Sequence, residues 1–141
     1  MPSMPAFTPH SPTDGREHDS LASRVRSNAG SAGLGAACLL FFGFRQLSPG
    51  NGTDLLNLSW SLAYHTFRIG GVVLGLVALG CLSGAPVLLL LDAAVSIPIG
   101  ASLLICAVTR LGSSSLEAFI FVIAGIMFLR GGWFNARMYT T

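Results

Sequence analysis

The run Phe67–Leu82, FRIGGVVLGLVALGCL, followed by the turn Ser83-Gly84-Ala85-Pro86 and then Val87–Leu91, VLLLL, decides the fold. A helix in water keeps one polar face, whereas Gly70 to Leu82 and Pro86 to Leu91 are apolar all round, the pattern of lipid contact or complete burial. A chain of 141 residues has too small an interior to bury so many side chains, so the medium around it must itself be apolar. Ser83-Gly84-Ala85-Pro86 reads as a tight reversal, with Pro86 placed at a helix start, where a missing N–H costs nothing. The flanking segments therefore form an antiparallel helical hairpin.

Working outward, four apolar stretches emerge, at about 28–47, 59–82, 86–109 and 116–133. Each comes close to the roughly 20 residues that carry a helix across about 30 Å of hydrocarbon. The composition agrees, with 52% hydrophobic and only 10% charged residues, against about 25% charged in a typical globular chain. The expected fold is all-α, a four-transmembrane-helix bundle. Residues 1–27, containing Pro2, Pro5, Pro9 and Pro12, read as a disordered polar tail with too little apolar surface to offset the entropy of ordering. A short tail, 135–141, follows the last span.

Arginine placement sets the expected orientation, because positively charged flanks are retained on the cytoplasmic side. With both termini cytoplasmic, Arg16, Arg24, Arg26, Arg130 and Arg137 fall inside and Arg45 and Arg110 outside. This describes a multi-pass protein of a plasma or bacterial inner membrane. The net charge of +2 comes from scattered arginines and leaves no nucleic-acid footprint, so no nucleic-acid partner is expected. The expected partners are the lipid bilayer and a homo-oligomeric copy or a membrane protein. Cys38, Cys81 and Cys106 lie in three different spans with no Cys-x-x-Cys pair, which suggests neither a disulfide framework nor a zinc site. No metal or cofactor is expected.

Two features predict how the spans pack. Small residues recur every fourth position at Ala29, Gly33 and Ala37 in span one, and Gly71 with Gly75 forms a GxxxG pair in span two, so these faces can approach a neighbouring helix closely. Charged and polar groups inside a membrane are costly and need a partner or a role. The candidates are His65, Arg68, Asp92, Glu117 and Arg130. Folding spans three and four about Gly112 brings Asp92 within about one helical turn of Arg130 in depth, and places Glu117 above Arg68. Both are expected to act as structural pairs.

The stretches Gly43-Phe44-Arg45-Gln46-Leu47-Ser48-Pro49 and Phe67-Arg68-Ile69-Gly70-Gly71-Val72-Val73-Leu74-Gly75, with Asp92 in span three and Leu116-Glu117 opening span four, resemble small four-helix membrane proteins of the DoxX-like kind. The resemblance covers about Ala32 to Leu129 and implies a compact four-helix bundle. Some members of that group are accessory subunits of membrane redox systems, but this chain has no haem-ligand pair or quinone motif to carry that role over. The expected function is a non-enzymatic accessory or interaction subunit. A small oligomeric transporter or channel is the alternative, and a membrane redox subunit using His65 is a second. Ser59, Ser61, His65 and Asp54 match no nucleophile motif, and no catalytic residue is expected.

Overall fold

The computed structural model describes residues 13–45, 54–112 and 115–140. They form four helices, α1 (Thr13–Arg45), α2 (Leu55–Cys81), α3 (Val87–Arg110) and α4 (Ser115–Thr140). All four are long and apolar enough to cross a membrane. The expected Ser48–Gly52 turn and the tail up to Pro12 lie outside the described residues.

The α2–α3 reversal is built as the sequence requires. Cys81 O accepts the Gly84 N–H at 3.0 Å and Gly80 O accepts that of Ser83 at 2.9 Å, which satisfies carbonyls that the end of α2 leaves open. Gly84 sits at φ +78°, a left-handed conformation that side chains disfavour. Pro86 stands at the head of α3, and Leu89 donates its N–H to Pro86 O at 3.0 Å. Downstream, α3 continues unbroken through Pro98.

Helix α1 begins well before the expected start of span one. Thr13 to Ser27 are helical, where the sequence reads as a disordered tail. The cause is an apolar stripe that persists through the polar segment. Val25 is completely buried, clustered with Cys81 and Leu89, and Leu21 and Met138 pack around them. Val25, Ala32, Ala36, Leu39 and Gly43 are all buried on one face, at the three-, four- and seven-residue steps of a helix. The early part of α1 also covers the α2–α3 turn: a Cβ on Gly84 would lie 3.3 Å from Arg26 Nε and 3.4 Å from Ala22 Cβ.

The helices pack in chain order, α1 on α2, α2 on α3 and α3 on α4, while α1 barely touches α3. Glycines set the contacts. The Gly71 and Gly75 row faces α1: a Cβ at Gly71 would fall 2.8 Å from Leu40 Cγ, and one at Gly75 3.7 Å from Ala36 Cβ. Gly33 of α1 faces α2 in the same interface, where a Cβ would lie 3.9 Å from Ala78 Cβ. The tightest approach is one the sequence did not announce. Gly100 of α3 and Gly125 of α4 leave no room for side chains, since a Cβ on the first would lie 2.8 Å from Gly125 O and a Cβ on the second 3.0 Å from Gly100 O. Between α1 and α4 there is no comparable backbone approach. Instead the Phe128 ring reaches across, 3.3 Å from where a Gly35 Cβ would stand.

Candidate functional site

Two clusters of polar side chains stand at the two ends of the α1–α4 gap. At the end bearing the α3–α4 turn, Arg110 is 1% exposed although it carries a charge. Its Nη1 donates to Glu117 Oε2 at 2.8 Å. The guanidinium carbon lies over the Trp60 ring, 3.2 Å from its centroid, with the Phe121 ring centroid at 5.1 Å. An aromatic face and a carboxylate together replace much of the hydration that a buried guanidinium gives up. Close by, the Cys106 thiol donates to Ser59 O at 3.3 Å, tying α3 to α2.

At the opposite end, Asp92 is 4% exposed and holds three helices together. Its Oδ1 accepts from Ser96 Oγ at 3.2 Å, one turn along α3. Its Oδ2 accepts from Asn28 Nδ2 of α1 at 3.0 Å and also from Asn135 Nδ2 of α4. Asn135 Nδ2 further donates to Asn28 Oδ1 at 3.3 Å. Ser31 Oγ then donates to Asn28 O at 3.0 Å. The cluster is a clasp across the α1–α4 gap.

These contacts correct both expected pairs. Asp92 does not meet Arg130, which is exposed on α4. Levelling the two helices fixes depth but leaves the direction around the helix undetermined. The α4 face against α3 carries Ala118, Gly125 and Gly132, and Arg130, five residues beyond Gly125, points roughly 140° away from it. Glu117 likewise pairs with Arg110, not Arg68. Arg68 donates from Nε to Gly43 O at 3.0 Å and stacks between Tyr64, at 4.0 Å, and Phe44, at 4.4 Å. It locks α2 to the last turns of α1. His65 is exposed and meets Tyr64 edge-on, with ring centroids 5.3 Å apart.

In the sequence Arg110 reads only as an outer-side charge, and Trp60, Asn28 and Asn135 carry no signal of their own. The two asparagines lay at the expected limits of spans one and four, where a polar residue needs no explanation. The signal available was two amides bordering apolar runs that topology places at the same end.

Two neighbouring cavities occupy the α1–α4 gap. One, of about 240 Å³, is bounded by Trp60, Phe67, Arg110, Glu117 and Phe121. The other, of about 380 Å³, is bounded by Asn28, Leu74, Asp92, Ser96 and Asn135. Cys38, Ala124 and Phe128 belong to the walls of both. Among the described residues no group of three or more His, Cys, Asp or Glu side chains is placed to hold a metal ion. Comparison with family models finds no match, and none is found among curated proteins or solved structures.

Proposed function

We propose that this chain is an integral multi-pass membrane protein, with both termini cytoplasmic, that acts as a non-enzymatic accessory or interaction subunit. One observation carries the reading: the outer helices α1 and α4 present unpartnered surface that includes glycine. Gly30 and Gly131 are both exposed, and a Cβ on either would meet nothing within 4 Å. In a helix that lies in lipid, small residues earn their place where another helix comes close, because van der Waals contact drives association there. The resemblance to DoxX-like proteins is consistent with such a role. The tight ties of Arg68, Arg110 and Asp92 also suit a structural use of the polar groups.

Site-specific photo-crosslinking in the native membrane tests this. A photoreactive residue replacing Leu34, 68% exposed on α1, should give a discrete protein adduct whose mass identifies a second copy or another chain. The same residue replacing Ile69, 62% exposed on α2, should give lipid adducts only. Lipid adducts alone at both positions would refute the interaction reading.

A further inference from the structure

We propose that the larger cavity between α1 and α4 binds a lipophilic cation, with the Asp92 carboxylate as its counter-charge. This goes beyond the interaction role, and the cavity shares Leu34 and Gly131 at its rim with the surface offered to a partner.

The charge balance of the gap points to a cation. At one end the Arg110 guanidinium has Glu117 beside it. At the other, Asp92 has hydrogen bonds from Ser96, Asn28 and Asn135, all uncharged donors. Among the described residues no Lys, Arg or His nitrogen lies within ion-pair distance of it. Hydrogen bonds orient and stabilise a carboxylate but leave its charge uncancelled, and in a low-dielectric surround that charge acts strongly over several ångströms. The cavity at Asp92 therefore favours a positive guest and opposes a negative one.

The walls select which cation. Beyond the polar end the cavity is lined by Ala32, Gly35, Leu74, Ala124 and Phe128. A small hydrated ion would need oxygen ligands on every side, and one carboxylate with its amides covers one side only. A cation that carries its own hydrocarbon coat, a quaternary ammonium or arylphosphonium, loses little hydration on entry and gains apolar contact, with the Phe128 ring available for cation–π attraction. The volume of about 380 Å³ falls in the range of about 300–1,000 Å³ usual for small-molecule sites. Entry requires no break in packed backbone, because α1 and α4 are not in close contact.

The experiment is equilibrium dialysis of radiolabelled tetraphenylphosphonium against the purified full-length chain in detergent. Uncharged triphenylphosphine oxide serves as competitor, and the Asp92→Asn variant as the charge-free site. Saturable binding at one site per chain is expected, with little competition from the oxide and about 10-fold or more weaker binding by the variant. No saturable binding overturns the proposal. So does equal competition by the oxide, which would mark an apolar slot for uncharged chains such as lipid tails. If Asp92→Asn fails to fold, the competition result on the unaltered chain decides alone. Binding is measured on the purified unaltered chain and crosslinking on a Leu34 variant in the membrane, so the absence of a protein adduct leaves the binding result standing and the two proposals fail separately.

Discussion

Three glycine-to-alanine substitutions form a series whose ordering follows from the space around each Cα. At Gly30 a Cβ meets nothing within 4 Å. Alanine there should stabilise by up to about 1 kcal/mol, through the lower backbone entropy of the unfolded chain. At Gly80 the Cβ would lie 3.0 Å from Leu88 Cδ2, the far end of a flexible side chain that can turn aside. That variant should stay within about 0.5 kcal/mol of the parent. At Gly100 the Cβ would lie 2.8 Å from Gly125 O and 2.9 Å from Leu129 N, and backbone cannot swing away without moving α4. Overpacking of this kind costs about 1–3 kcal/mol, so after an entropic gain of about 1 kcal/mol the net loss should be about 0–2 kcal/mol. The assay is reversible unfolding in mixed micelles by titration with a denaturing detergent, followed by circular dichroism. A Gly100→Ala midpoint as high as that of Gly30→Ala would refute the close α3–α4 crossing. A Gly30→Ala midpoint well below that of the parent would mean that another chain already occupies that face.

Asn135→Ala should destabilise by about 1–3 kcal/mol because it strips a donor from buried Asp92, and a cycle with Asn28→Ala in the same unfolding assay should be non-additive. Arg130→Gln should stay within about 0.5 kcal/mol of the parent and combine additively with Asp92→Asn; a coupling between them would restore the ion pair expected from depth alone. For Arg110 and Glu117, half-exposure of the acid screens part of the attraction, so a double-mutant cycle should return roughly 1 kcal/mol of coupling, above the exposed-pair average because the guanidinium is buried. Reporter fusions at the two ends of the chain should both be active in the cytoplasm, and activity of either on the opposite side would overturn the proposed orientation.

The fold was legible because apolar runs of membrane length admit few alternatives and Gly84-Ala85-Pro86 fixes one reversal. Two things were not legible, each for a physical reason. The early turns of α1 carry their apolar stripe on Leu21 and Val25 alone, diluted by charge on the remaining faces, so composition read as a tail although spacing permitted a helix. The polar pairs failed because levelling two antiparallel helices yields depth but no azimuth. Arg110 and Glu117 escape that ambiguity: they flank the short α3–α4 turn, so the chain itself brings them together. Nothing local joins Asn28, Asp92 and Asn135, which come from three helices and meet only once the bundle has formed.

In a hydrocarbon surround, burying apolar surface supplies no drive between helices, and packing and polar ties hold them together. Three of the interfaces here have such support. Gly71 against Leu40 and the Arg68–Gly43 bond join α1 to α2, the Cys106–Ser59 contact joins α2 to α3, and the Gly100–Gly125 crossing with Arg110–Glu117 joins α3 to α4. The α1–α4 edge has the Asn28–Asp92–Asn135 clasp at one end and the Phe128 ring over Gly35 in the middle. Separation of α1 from α4 therefore breaks fewer contacts than separation of any other neighbouring pair, and it does so beside a carboxylate that has no cationic side chain within ion-pair distance among the described residues. A guest entering from the membrane would meet the least resistance where the electrostatic reward for a cation is greatest.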